Sequence, residues 1–287
     1  WALVETFSAS APLDLRVNTL KAKREAVLET LAAAHIEAQP TPFSPLGIRI
    51  PGKPALQKMP IYTDGHVEVQ DEGSQLLAVL TNPKRGEMVV DFCAGAGGKT
   101  LALGALMRNT GRLYAFDVSA HRLENLKPRL ARSGLSNVYS SQIAHENDDR
   151  IKRLRGKIDR VLVDAPCSGL GPLRRNPDLK WRQSPKGIDE LQVKQTAILA
   201  SAARLLKPGG RLVYATCSVI PDENEGIADA FTAAHPDFEL INAAEALEAA
   251  GVANAAGLAT PAGHLRLWPH LHATDGFYAA VWQKKEA

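Results

Sequence analysis

From residue 88 onward, apolar segments of strand length alternate with segments of helix length, and this alternation restricts the fold more than any other feature. It is typical of a parallel β-sheet that carries helices on both faces and joins its strands by right-handed crossovers. We therefore predict an α/β fold with a doubly wound, mostly parallel sheet. Its seven predicted strands are residues 88–92, 112–117, 137–143, 158–164, 211–216, 238–242 and 276–282.

Residues 1–66 follow a different pattern, which predicts a small α+β domain. Its predicted elements are a strand at 13–18, a helix at about 21–35 and short strands near Ile36 and at 47–50. The proline- and glycine-containing stretch 51–65 is typical of a linker. We place the domain boundary after residue 66, so that residues 67–287 form the larger, catalytic domain.

Composition sets broad limits on the protein. A hydrophobic content of 45% is ordinary for a globular chain of 287 residues, and no apolar run has the roughly 18 residues of a membrane-spanning helix. The N-terminus lacks the pattern of a signal peptide, and it lacks an initiator methionine, which a fragment of a longer protein would explain. Three cysteines indicate reduced thiols and a cytoplasmic location. The net charge of +3 permits a nucleic-acid partner without establishing one, and we expect a monomer.

The glycine-rich turn at residues 93–99 admits three interpretations. A phosphate-binding P-loop also ends in Gly-Lys-Thr, but Cys93 stands where that loop has its first glycine. A dinucleotide fingerprint needs the spacing Gly-x-Gly-x-x-Gly, which Gly95, Gly97 and Gly98 do not have. S-adenosylmethionine (SAM) carries no phosphate and needs only a turn that lets the backbone approach closely. We favour SAM.

Acidic residues at strand ends support a nucleoside-containing cofactor. Asp117 ends the second strand, where an acid can accept hydrogen bonds from ribose hydroxyls. It could instead cap the next helix, although Ser119 can serve as that cap. Asp148 and Asp149 follow the third strand, and one of them could lie beside an adenine ring; two solvated loop acids are the alternative.

Two predicted strands end in a Cys-Ser pair, Cys167-Ser168 and Cys217-Ser218. Because the carboxyl ends of parallel strands meet at one edge, we expect both thiols to face the cofactor crevice. A thiolate that adds to C6 of a pyrimidine turns C5 into an enamine carbon, which can accept a methyl group. Inert packing and a disulfide are the alternatives, and two thiols in one crevice of a reduced protein argue against both.

Segments spread over nearly the whole chain match one protein family. They are Arg-Val-Asn at 16–18, Gln-Asp-Glu-Gly-Ser at 70–74, Asp-Ala-Pro-Cys-Ser at 164–168, the basic loop at 174–181, the glycine- and cysteine-containing stretch at 206–218, Glu-Asn-Glu at 223–225 and Gly-Phe-Tyr at 276–278. The chain resembles the Nol1/Nop2/Sun RNA cytosine-5 methyltransferases, and it looks closest to the bacterial Sun (Fmu) branch, which methylates 16S ribosomal RNA. The resemblance implies a Rossmann-like SAM-methyltransferase sheet, SAM as cofactor and an RNA with an unpaired or flipped cytosine as substrate.

The resemblance also implies roles for individual residues. In this family the attacking thiol is the later one, which maps to Cys217, whereas Cys167 is implicated in product release. Asp164 would bind the cytosine N3/N4 edge, and Lys99 would lie near the catalytic crevice. The implied cofactor contacts are Cys93, Ala94, Gly95, Ala96, Gly97, Gly98, Lys99, Asp117, Arg122, Asp148 and Asp164. The expected RNA contacts are Arg16 in the N-terminal domain and Arg174, Arg175 and Lys180 in the loop after Cys167. No metal site is expected.

Two departures from the family pattern matter. The turn reads Gly-Ala-Gly-Gly at 95–98, where the family usually has Ala-Pro-Gly-Gly. Sun proteins also usually carry an upstream NusB-like RNA-binding domain, which this sequence does not contain. A truncated or divergent member would explain that difference, and a transfer RNA is an alternative target. The competing functions are an RNA-binding assembly factor without catalytic activity, and methylation of a small molecule or protein.

Overall fold

The computed structural model describes residues 1–286. Its helices are α1 (Ala2–Phe7), α2 (Arg24–Ala33), α3 (Pro60–Thr63), α4 (Glu72–Thr81), α5 (Gly98–Leu106), α6 (Ala120–Ser133), α7 (Asp149–Lys152), α8 (Pro185–Ala203), α9 (Glu225–Ala234), α10 (Ala243–Ala249) and α11 (Pro269–His272). Its strands are β1 (Leu13–Val17), β2 (Gln39–Pro40), β3 (Gly47–Ile50), β4 (Val67–Val69), β5 (Met88–Asp91), β6 (Arg112–Asp117), β7 (Val138–Gln142), β8 (Ile158–Asp164), β9 (Leu206–Thr216), β10 (Phe238–Ile241), β11 (Leu265–Leu267) and β12 (Phe277–Lys284).

The larger sheet has the order β10-β12-β9-β8-β5-β6-β7, with β11 paired to β12. Strands β5 to β9 are parallel to their neighbours among themselves, whereas β12 runs antiparallel to β9, β10 and β11. This arrangement confirms the predicted α/β fold and mostly parallel sheet. Within residues 1–286 the sheet has eight strands rather than seven, because the three residues of β11 are too short to stand out as a strand in the sequence.

Alternate residues of the central strands enter two separate cores. Leu162 and Val213 pack on the face covered by α4, α5 and α10. Val161 and Tyr214 pack on the opposite face, under α8 and α9. Successive side chains of a strand point to opposite faces, so a strand buried on both sides must be apolar throughout. Among the described residues, no helix is long and apolar enough to cross a membrane.

The N-terminal sheet has the order β2-β3-β1-β4, and all of its pairs are antiparallel. Strand β2 is the observed counterpart of the strand expected near Ile36. The prediction of a linker at 51–65 is wrong: Leu56 and Ile61 are buried in the core of this domain. Pro60 begins α3, because proline suits the first turn of a helix as well as an extended segment.

Strand β4 lies directly after the predicted domain boundary, and it pairs with β1 of the N-terminal sheet. The division of the chain into two domains after residue 66 stays a prediction. Polar contacts join the two parts around β4. Glu68 forms ion pairs with Arg129 and Arg132 of α6, and Arg129 also donates to the carbonyl of Ala96 at 2.6 Å. These contacts attach the N-terminal sheet to the glycine-rich turn.

Candidate functional site

A cavity of about 1100 Å³ lies beyond the carboxyl ends of the parallel strands. Most of the residues predicted for the site line it: Cys93, Ala94, Gly95, Ala96, Gly98, Lys99, Asp117, Arg122, Asp164, Cys167, Arg175 and Cys217. Gly97, Asp148, Arg16, Arg174 and Lys180 are not among its lining residues. The cavity therefore joins the glycine-rich turn to both cysteines, as expected for ligands bound at the carboxyl edge of such a sheet.

Two glycines of the turn have positive φ angles for different reasons. Gly97, at φ 83°, packs so closely that an added Cβ would lie 2.1 Å from Leu126 Cδ1. Gly95, at φ 56°, has no atom within 4 Å of the position of an added Cβ. Gly97 thus seats the turn against α6, whereas the free space beside Gly95 leaves the backbone accessible to a ligand.

The carboxylate of Asp117 is held by the backbone of the turn. Its Oδ2 accepts a hydrogen bond from Gly95 N at 2.8 Å, and its Oδ1 accepts one from Ser119 N at 2.8 Å. Ser119 is the residue that caps α6, through Arg122 N. Asp117 therefore lies at the cavity wall with a fixed orientation, and each of its oxygens keeps a lone pair for a further donor.

Asp91 is a buried acid that the sequence analysis missed. It ends β5 and is 1% exposed. Its Oδ2 accepts from Thr100 Oγ1 at 2.7 Å, while its Oδ1 has no hydrogen-bond partner among the described residues. Burial raises the pKa of Asp91 to about 7. A signal was available in the sequence, because Asp117 and Asp164 end their strands in the same way.

Asp148, a predicted cofactor contact, does not line the cavity. Its carboxylate caps α7 and accepts from Ala144 N and Arg150 N at 3.0 and 2.9 Å. These backbone hydrogen bonds lower the pKa of Asp148. The cavity wall at this point consists of residues 143–146, including His145 and Glu146. Asp148 thus orders the loop behind the wall.

Lys99 and Asp164 form an ion pair inside the cavity, with Nζ and Oδ2 2.7 Å apart. Burial opposes the charge on Lys99, but the carboxylate of Asp164 and the nearby Cys217 together raise its pKa. Lys99 is therefore a cation that lies close to Cys217.

The two thiols lie side by side, with Cys167 Sγ and Cys217 Sγ 3.5 Å apart. Both are free, and a disulfide would need a separation of about 2.05 Å. The hydrogen bond with Cys217, followed by burial, raises the pKa of Cys167 well above the usual range. Gly171 N donates to the carbonyl of Cys217 at 2.8 Å, and Gly276 N donates to the carbonyl of Gly171 at 3.1 Å. Three loops therefore meet at the thiols.

The structure contradicts two of the four predicted RNA contacts, because the side chains of Arg16 and Arg174 are buried. Arg16 is 1% exposed and donates to Gln70 Oε1 at 2.6 Å, and burial lowers its pKa to about 10. Arg174, with a side chain 4% exposed, is paired with Asp275. Arg175 is paired with Asp275 and also with Asp71.

The remaining predicted contact, Lys180, is exposed and lies 5.1 Å from the ring of the exposed Trp181. Arg174 and Arg175 thus hold the loop after Cys167 in place. Arg175, which is exposed and lines the cavity, and Lys180 stay predicted RNA contacts.

Comparisons with known proteins agree with this architecture. A family model described as 16S rRNA methyltransferase RsmB/F matches residues 78–283, and one described as a Methyltr_RsmF/B-like, ferredoxin-like domain matches residues 2–57. The probable ribosomal RNA small subunit methyltransferase B of Synechocystis sp. is 36% identical over 293 residues, which is 99% of this chain and 64% of that protein. The protein of the same name from Bacillus subtilis is 35% identical over 272 residues, which is 94% of this chain and 59% of that protein.

The crystal structure of PH0851 has a TM-score of 0.86 at 34% identity, covering 99% of this chain and 62% of that one. This chain therefore spans between 59% and 64% of the length of these relatives. The family model covers well over half of the chain. The match confirms the resemblance to Sun-type proteins that the cysteine motifs indicated, and the chain belongs to the 16S rRNA methyltransferase RsmB/F family.

Proposed function

We propose that this protein is a SAM-dependent RNA cytosine-C5 methyltransferase that acts on 16S ribosomal RNA. The observation that carries the proposal is the pair of thiols, 3.5 Å apart, beside the Lys99–Asp164 ion pair in one cavity. Methyl transfer to C5 of a pyrimidine needs a nucleophile that adds to C6, and a thiolate is suited to that task.

The cofactor half of the cavity fits SAM. The open backbone beside Gly95 suits a ligand that packs without phosphate contacts. Asp117 would accept hydrogen bonds from the ribose hydroxyls. The unpartnered Oδ1 of Asp91 suits an ammonium group such as that of the methionine part. When bound, SAM supplies the electrophilic methyl group.

We assign the nucleophile to Cys217. The Cys167 thiol is held in its protonated form, as its raised pKa indicates, whereas Cys217 lies close to the Lys99 cation. Asp164, on the strand next to Cys217, would bind the N3/N4 edge of a cytosine that has left its stack. The same carboxylate pairs with Lys99, so base binding and the charge beside the thiolate are linked.

In the proposed reaction, Cys217 forms a temporary bond to the base. The Sγ–C6 bond forms as Cys217 adds, and the electron pair of the C5–C6 double bond becomes nucleophilic at C5. The bond between the methyl group and the cofactor sulfur would break as C5 gains the methyl group, with its electron pair staying on that sulfur. A base then removes the C5 proton, and the electron pair of the C5–H bond re-forms the C5–C6 double bond as the Sγ–C6 bond breaks, which releases Cys217 as a thiolate. We assign Cys167, 3.5 Å away, to this release.

Ribosomal RNA as the substrate rests on the names of the relatives and on the exposed cation of Lys180 in the loop after Cys167. A cytoplasmic location and a monomeric state stay predictions. Tritiated SAM, incubated in parallel with unmodified 16S RNA, transfer RNA and no RNA, tests the proposal. We expect label only in the 16S RNA, at C5 of cytosine, and loss of that label in Cys217→Ala. Label in transfer RNA, or label in the absence of RNA, would contradict 16S RNA as the substrate. A protein that binds SAM but transfers no label would favour the assembly-factor alternative.

A further inference from the structure

A buried polar network lies behind the two thiols and centres on Glu223, which is fully buried in the turn after β9. Its Oε1 accepts hydrogen bonds from Ser168 N at 2.8 Å and from Gln195 Nε2 at 3.0 Å. Its Oε2 accepts from Ser218 Oγ at 2.5 Å. One carboxylate therefore binds the residue that follows each cysteine.

Three donors surround the carboxylate of Glu223. Ser218 donates its hydroxyl proton to it and accepts in turn from Ser168 Oγ, 3.0 Å away. A carboxylate is acceptor-only, so its oxygens suit these three donors.

The charges around the two thiols are unequal. The titratable groups in the same region are Tyr214 on β9, Cys217 and Glu223 after β9, Cys93 after β5, Asp164 on β8, and Lys99 and Lys194 at the cavity wall. The hydrogen bond with Cys217 and burial raise the pKa of Cys167, and the negative charge of Glu223 adds to them. Lys99 is the nearby cation, and Cys217 is among the groups that raise the pKa of Lys99.

We infer that Glu223 is a positioning residue that makes the two cysteines different: its one buried carboxylate fixes both Cys-Ser turns, the first through Ser168 N and the second through the hydroxyl of Ser218. Cys167 is then the thiol that resists ionisation. The inference deepens the proposed function, on which the catalytic meaning of the difference rests. Gln195 supports the arrangement, because its Nε2 also donates to the carbonyl of Pro166 at 3.0 Å, directly before Cys167.

The test is alkylation by iodoacetamide under reducing conditions between pH 6 and pH 10, with each cysteine quantified by peptide mass spectrometry. In the unchanged protein we expect Cys217 to react at lower pH than Cys167. Glu223→Gln keeps the size of the side chain and removes its charge. It should raise the rate at Cys167 about five- to tenfold at pH 8, which corresponds to a fall of about one pH unit in the midpoint, and leave the midpoint of Cys217 in place.

Glu225→Gln is the matched control, because Glu225 lies two residues away and faces Arg266 rather than the thiols; it should change neither profile. An unchanged Cys167 profile in folded Glu223→Gln would overturn the inference. If that variant does not fold, the alkylation profiles of the unchanged protein remain a test, because reaction of Cys167 at lower pH than Cys217 would also overturn the inference. The measurement contains neither SAM nor RNA, so its result stands apart from the methylation assay, whose failure would remove the proposed function alone.

Discussion

The cofactor half and the catalytic half of the cavity are built in different ways. In the cofactor half, the strand–turn–helix unit from β5 to α5 sets the backbone path, and Gly97 packs on a neighbouring helix. In the catalytic half, side chains far apart in sequence hold three loops together, such as Arg174 and Asp275, which are 101 positions apart. A ligand-binding turn can thus be built from local backbone geometry, whereas the placement of two thiols depends on tertiary contacts.

The largest expected effect comes from breaking the ion pairs of the catalytic half. Asp275 binds both Arg174 and Arg175, and its side chain is 4% exposed. Asp275→Asn leaves the buried cation of Arg174 without its carboxylate partner and removes one of the two carboxylates that pair with Arg175, so the free energy of unfolding should fall by about 3–5 kcal/mol. Urea denaturation measures it. Asp178→Asn is the control, because its pair with Arg182 is exposed and should contribute less than about 1 kcal/mol. Equal effects of the two variants would contradict the comparison.

Gly171→Ala should separate the halves by function. An added Cβ would lie 2.0 Å from the carbonyl oxygen of Gly276 and 2.8 Å from that of Cys217. The backbone at Cys217 must then shift, and a misplacement of about 1 Å can lower the rate of methyl transfer roughly a hundredfold. SAM affinity should not change. Gly257→Ala is the matched control, since nothing lies within 4 Å of its added Cβ. If Gly171→Ala instead weakened SAM binding at full activity, the separation of the halves would be wrong.

Asp117→Ala should have the reverse signature. Ribose hydroxyls lose a charged acceptor at a largely buried position, so SAM binding should weaken by about 1–3 kcal/mol. Isothermal titration calorimetry measures this, with the exposed Asp149→Ala as the control. Unchanged affinity in a folded Asp117→Ala protein would remove Asp117 from the cofactor site.

Lys180→Ala should have the smallest effect. The exposed cation would contact an RNA phosphate, so RNA affinity should fall modestly and the slope of its salt dependence by about 1. SAM affinity should stay the same. Filter binding at several salt concentrations tests this, with the exposed Lys152→Ala as the matched control. A salt slope that Lys152→Ala lowers and Lys180→Ala does not would move the RNA path away from this loop.

The sequence predicted those parts of the site that depend on strand ends. Cys167 and Cys217 came together because adjacent parallel strands deliver their carboxyl ends to one edge. It did not predict the roles of Arg174 and Arg175, because their partners Asp275 and Asp71 lie about a hundred positions away. Asp148 was predicted as a cofactor contact but caps α7, and spacing in the sequence does not distinguish a helix cap from a ligand contact. The 51–65 segment was misread because proline starts short helices as readily as it marks linkers.

The central claim is that the two thiols act at different stages, and a covalent RNA adduct tests it most directly. Cys167→Ala keeps the nucleophile but should slow the release, so a slowly migrating protein–RNA band should accumulate on a denaturing gel in the presence of SAM. Cys217→Ala, alone or combined with Cys167→Ala, should form no band and transfer no methyl group. A band that appears with Cys217→Ala instead would reverse the roles, and two active single variants without any band would contradict the covalent mechanism.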